Sequence, residues 1–211
     1  PSAHGTDNAT TVVFTSANNN VNLGVFKPAD YRGTARLVTV RTDNNASELL
    51  RFDYLANRVG ATPAPSTAIA LQAALGNTNG LAWQASSDTL FAGAFFGGRS
   101  TSYGPGGAGG VYSVPNAYSA GAAGGALFKN LDDYSIATGP DTISDPCVVA
   151  GAGNTAANGC FHDVGSRGLG DLELSLDGNT LYVVNPFADQ LVSLAIGTPP
   201  SAPGSATTIA I

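Results

Sequence analysis

Asp171 and Glu173, in "GLGDLELSLDGNTLYVVN" (168–185), stand two residues apart in an alternating strand pattern. Their carboxylates therefore share one face, while Leu172, Leu174 and Leu176 share the other. Two carboxylates on one face, joined by backbone carbonyls, are the hard oxygen donors that Ca²⁺ takes. A metal held at a central channel would add Asn185 to the pair. Acid–base catalysis would need an enclosing pocket in addition. A polar face toward solvent, a channel or a neighbouring element is the strongest of these readings.

Other groupings invite chemistry with less force. His162 and Asp163 in "CFHDVGS" suggest a triad with Ser166, but residues this close in sequence rarely form one, and the chain has no G-x-S-x-G elbow. His4, the other histidine, lies in the terminal stretch. Asp132, Asp133, Asp141 and Asp145 do not follow the calcium-loop spacing and read as a solvated acidic surface, with a weak cation site as the alternative. "GPGGAGG" (104–110) formally contains G-x-G-x-x-G, yet a strand rather than a helix follows it, so it reads as a flexible hairpin loop. Trp83, the sole tryptophan, falls on a strand position equivalent to Leu174, which assigns it to core packing rather than ligand stacking.

Cys147 and Cys160, the two cysteines, flank a Gly/Ala/Asn loop. Their spacing favours a local disulfide, contributing about 3 kcal/mol by loop entropy, over free thiols or a zinc site. A zinc site would lack ligands beyond His162. A disulfide implies an oxidising location. The charged fraction is only 11%, an extracellular β-protein habit. The formal net charge is −6, and no basic stripe with interleaved aromatics compensates, which argues against nucleic acid. Charge is also uneven. Residues 1–60 hold Lys27, Arg32, Arg36, Arg41, Arg51 and Arg58 against five acids, whereas only Arg99, Lys129 and Arg167 face ten acids thereafter. No apolar run of membrane-spanning length occurs. The opening "PSAHGTDNATT" and the absence of Met suggest a processed or excised chain. Asn8 and Asn45 head formal glycosylation acceptors, which are uninformative without the source.

The elements that must position these residues are strands. Apolar residues alternate or form brief β-branched runs between Gly, Asn, Asp and Pro, and only "STAIALQAAL" (66–75) predicts a short helix. A strand–turn–strand unit recurs: 165–196 is its clearest copy and 80–115 repeats it with a longer Gly-rich loop. The weaker copy at 35–55 places Leu37 on Leu181. Asp177-Gly178 marks the tight reversal. A degenerate fourth unit is expected around 125–139, followed by a loop insertion with the disulfide over 140–162. These units predict an all-β chain, with residues 1–211 as a single β-propeller-like array of antiparallel blades and long Gly-rich loops. Three to four blades are few for closure, so the array is expected to be incomplete or finished by another chain.

The stretch "VGSRGLGDLELSLDGNTLYVVNPFADQLVSL" (164–194), with "GGVYSV" (109–114) before it, resembles the propeller region of large bacterial secreted and cell-surface proteins. Those proteins often carry B-type immunoglobulin-like repeats downstream. It is also similar to the lactonase-like and YVTN-type surface propellers, in which DG-x-x-LYV-x-N is a blade hallmark. The resemblance implies secretion, a propeller fold and a structural or adhesive role, and brings no catalytic residues with it. The function expected is a non-catalytic module at the cell surface with no cofactor beyond calcium, partnered by its own copies, other surface proteins or glycans. A propeller-class metal-dependent hydrolase or lactonase is the alternative. So is a glycan- or protein-binding module using the Gly-rich loops.

Overall fold

A computed structural model describes residues 36–41, 47–53, 66–96, 103–119, 124–141 and 164–211. The chain divides into two compact units, residues 1–36 with 53–64 and residues 37–52 with 65–211. In the first, Arg36 Nε lies 3.2 Å from Asp53 Oδ1. The packing described below belongs to the second unit.

Three antiparallel sheets account for nearly all its regular structure among the described residues. The first comprises β1 (Arg36–Val40), β2 (Ser47–Asp53) and β3 (Thr67–Leu71). The second comprises β4 (Thr78–Gln84), β5 (Thr89–Ala94), β6 (Gly110–Pro115) and β7 (Ala126–Asn130). The third comprises β8 (Leu172–Leu174), β9 (Thr180–Asn185), β10 (Gln190–Ala195) and β11 (Thr207–Ala210). In every sheet the spatial order of strands follows the chain order. Each is thus an up-and-down antiparallel meander in which consecutive strands lie side by side.

The β8–β9 turn shows why the sequence folds this way. Gly178 takes φ +73°, and Asp177 Oδ1 accepts from Ser175 Oγ (2.6 Å) and Asn179 N (3.0 Å). The expected Asp177-Gly178 reversal is therefore present, bound by an aspartate side chain that turns the backbone on itself. The pairing Leu172↔Val183, Glu173↔Tyr182 and Leu174↔Leu181 then fixes which residues face inward.

The second sheet lies between the other two. Leu90, Ala92, Ala94, Tyr112 and Val114 pack with Leu49, Ile69 and Ala70 of the first sheet. Phe91, Val111 and Ala82 pack with Leu172, Leu181, Val183, Val192 and Leu194 of the third. Every residue of β5 is buried as a result. Alternation in this strand separates one core from another, where in a half-solvated strand it separates core from water. The approach is close: a methyl on Gly93 would lie 2.6 Å from Leu172 Cδ1.

Several expectations change. The stretch 66–75 is β3 followed by one helical turn, α1 (Gln72–Leu75). Ile69 and Ala70 meet the core from a strand paired to β2, and this sheet pairing overrides the Ala/Leu helix preference. The 125–139 segment is no separate unit. Its strand is β7, the outer strand of the second sheet, and a 3₁₀ turn over Leu131–Tyr134 follows. The copy at 35–55 gains a third strand, and its Leu37 is exposed while Val38 and Val40 pack inward, so its alignment on Leu181 is one residue out of facing. Leu176 does not share the inward face of Leu172 and Leu174; it sits in the turn, 83% exposed. The 104–110 loop is packed down: Gly106, Ala108, Gly109 and Gly110 are buried, and a methyl on Gly104 would lie 2.4 Å from the backbone of Leu75. Its glycines serve close approach.

Candidate functional site

The first strands of the three sheets meet at a cleft of about 480 Å³ lined by Val38, Thr39, Val40, Thr78, Asn79, Gly80, Leu81, Phe95 and Asp171. A register shift between Asn79 and Leu81 forms its floor, with Gly80 at φ +65°. A methyl on Gly80 would lie 2.5 Å from Gly170 O. Only glycine lets β4 come this close to the approach to β8 while bending in this way. Asp171 is the one charged side chain of the lining, beside the exposed Thr39 and Asn79. Such a lining offers hydrogen bonds to a small polar ligand and presents no nucleophile with a base beside it.

Asp171 and Glu173 occupy the same exposed face, as their spacing predicts. Each turns back on its own strand: Asp171 Oδ1 accepts from Leu172 N at 3.0 Å and Glu173 Oε1 from Leu174 N at 3.1 Å. Glu173 is not part of the cleft lining. Asn185 lies on the opposite face of β9 from Tyr182, the partner of Glu173. Its Nδ2 donates to Ala137 O at 3.0 Å, and the side chain is fully buried. The three-residue set at a central channel therefore does not assemble. No group of three His, Cys, Asp or Glu side chains suited to a metal occurs among the described residues.

Asp132 and Asp141 are near enough to interact. Burial pushes the Asp132 carboxyl above its ordinary range, and the charges of Asp141 and Asp133 add to the rise, against hydrogen bonds from Thr138 and Asn130. Asp141 Oδ1 accepts from Ala108 N at 2.7 Å, securing the 104–110 loop. Asp133 is 2.7 Å from Lys129 Nζ. These acids brace turns. Ser166 lies in a turn at 164–166. His4, Asp145, Cys147, Cys160, His162 and Asp163 lie outside the described residues, and with them the expected disulfide and the disfavoured triad.

Four polar residues that the sequence did not single out tie sheet to sheet or strand to loop. Glu48, buried, accepts from Thr78 N (2.7 Å) and Thr78 Oγ1 (3.0 Å), joining the first sheet to the second beside the cleft. Arg51, also buried, donates to the carbonyls of Ala117 (2.8 Å), Tyr118 (3.1 Å) and Ser119. Gln84 Nε2 reaches Gly178 O (2.6 Å), Gly197 O (2.9 Å) and Thr198 Oγ1 (3.2 Å), tying the second sheet to the third. Asp88 accepts from Tyr118 N (2.7 Å), Ser119 N (3.0 Å) and Ser119 Oγ (2.6 Å). Desolvation raises the Asp88 pKa, but these bonds outweigh it and leave the carboxyl below its ordinary value. The sequence signal for Glu48 and Arg51 is a pair of charges flanking the apolar Leu49-Leu50 in "SELLRFD".

Trp83 is not a core residue: it is 48% exposed. It stacks on Tyr118, itself 36% exposed, with ring centroids 6.0 Å apart and planes inclined by 29°. Its indole N–H points to Asp88 Oδ1 at 3.4 Å. The strand register does place Trp83 opposite Leu90. Comparison with protein-family models, curated proteins and solved structures finds no match to this chain.

Proposed function

We propose that the chain is a non-catalytic extracellular module: three consecutive blades of a β-propeller-like array, serving in a cell-surface or filamentous assembly with its own copies or other surface proteins. The observation that carries this reading is the stack of three meanders with its middle sheet buried on both faces. Such stacking is how repeated antiparallel units cover faces they cannot cover alone. The buried polar side chains support it too, since Glu48, Arg51 and Gln84 are committed to clamping sheet to sheet or strand to loop. The test offers lactone, ester and glycoside substrates to the purified chain with Ca²⁺, Mg²⁺ or Zn²⁺ in turn. No turnover above buffer is expected; turnover that Asp171→Ala abolishes overturns the reading in favour of a metal-dependent hydrolase.

The exposed Trp83–Tyr118 pair favours a second reading, a glycan-binding role at that end of the second sheet. Aromatic rings held open to solvent suit the apolar face of a pyranose, and Asp88 and Ser119 beside them are hydrogen-bonding groups. Trp83 is the sole tryptophan, so its emission reports the site directly. A saturable blue shift with β-linked oligosaccharides, lost in Tyr118→Ala, is the expected result. Emission indifferent to every oligosaccharide tried removes this reading.

A further inference from the structure

The geometry points to the outer face of the third sheet as the surface that receives a second copy of this chain, packed head to tail. This deepens the assembly reading above and rests on it. Register places Glu173, Tyr182, Ser193 and Thr207 in one row across this face, with Val184, Leu191 and Ile209 in the next. Their opposite face, carrying Leu172, Leu181, Val183, Val192 and Leu194, is buried against the second sheet. The outer row stays open: Tyr182, Val184 and Leu191 are only half-buried and Ile209 is 55% exposed.

What covers this face is indicated by the second sheet. In the repeat, "LAWQASS" (81–87) falls on "LELSLDG" (172–178), and Leu81 pairs with Ala92 as Leu172 pairs with Val183. The residue that then matches Tyr182 is Phe91, fully buried against the third sheet. A position that the second sheet covers with another sheet of this chain is thus left uncovered in the third. The natural occupant is a further sheet of the same kind, which a second copy supplies.

Charge selects head-to-tail packing over a symmetric pairing of third sheets. Residues 168–211 contain Asp171, Glu173, Asp177 and Asp189 and no Lys or Arg, so two such sheets face to face would oppose acid to acid. Asp171 and Glu173 form no ion pair within the described residues; their carboxylates accept only from the backbone of their own strand. Beside this face, β11 is an edge strand without a charge, proline or bulge to discourage a neighbour, whereas the outer strand β7 of the second sheet carries Lys129. Head-to-tail contacts either close into a ring or continue as a filament, according to the rotation per copy.

The test measures the native mass of the 211-residue chain across the micromolar range. Dimers or larger species are expected, and Leu191→Lys should weaken association about tenfold or more by placing a charge at the centre of the contact. Leu191 is half-exposed, so the lysine has water to reach while the sheet folds, and an unchanged melting curve checks this. Leu127→Lys, a comparable exposed change on β7, should leave association intact. A monomeric wild-type chain overturns the inference, as does assembly that survives Leu191→Lys or fails equally in Leu127→Lys. An assembled chain that turns over substrate through Asp171 leaves this contact standing and removes the non-catalytic reading. A monomer without turnover does the opposite.

Discussion

Gln84 shows how much one side chain carries. Its amide N–H groups lie among two carbonyls and a hydroxyl of the third sheet's turns, and its carbonyl accepts from Ser87. At 2% exposure no water replaces these partners easily. Gln84→Ala should therefore cost about 3 kcal/mol, combining lost hydrogen bonds with carbonyls left unsatisfied. Urea denaturation checks the figure; a loss under about 1 kcal/mol would show that the clamp is dispensable. Trp83 gives the opposite lesson at the same scale. Alternation correctly puts it on the face of Leu90, but alternation says nothing about whether a neighbour reaches that end of the strand. Asp171 and Glu173 were legible as a shared polar face because a period of two is a local property. Their separation from Asn185 depends on the β8–β9 register, which the sequence states only through its turn.

Among the elements, the β8–β9 hairpin was the most legible. Period-two apolar residues and an Asp-Gly turn are each short-range signals, and here they agree. Hydrogen bonds from Ser175 and the Asn179 backbone hold the Asp177 carboxyl down to about 2 from an ordinary 3.8. A carboxyl whose folded pKa is depressed adds stability above its unfolded pKa and loses that stability as pH falls through the folded one. The melting temperature of the wild type should thus exceed that of Asp177→Ala near neutrality, and the gap should narrow between pH 3.8 and about 2. Thermal melts of both proteins over that window decide it: a gap constant with pH would mean that the turn owes nothing to the ionised side chain. β3 was less legible, because "TAIALQAAL" satisfies a helix as readily as a strand until β2 pairs with it.

For the whole molecule, the repeat announced itself through aligned copies, while the width of each sheet did not. β7 and β11 lie outside the matched strand–turn–strand core: "ALFKN" reads as part of a separate unit, and "TTIA" carries no repeat signal. The packed 104–110 loop was hidden for a similar reason. Glycine composition is the same whether a loop waves in solvent or is pressed against Leu75, and only the fold distinguishes them. The cleft at the strand starts likewise needs all three sheets before it exists.

The burial of β5 on both sides also bears on how the chain is made. Each meander consists of neighbouring stretches and can pair its strands as soon as they leave the ribosome, amino end first. The second sheet can settle Leu90 and Tyr112 onto the first at once. Phe91 and Val111 must wait, wetted, through the synthesis of about sixty to eighty further residues before Leu172 to Leu194 arrive to cover them. During that interval the nascent protein carries an apolar sheet face open to every other chain nearby, and the cell's holding chaperones have a defined moment at which to be needed.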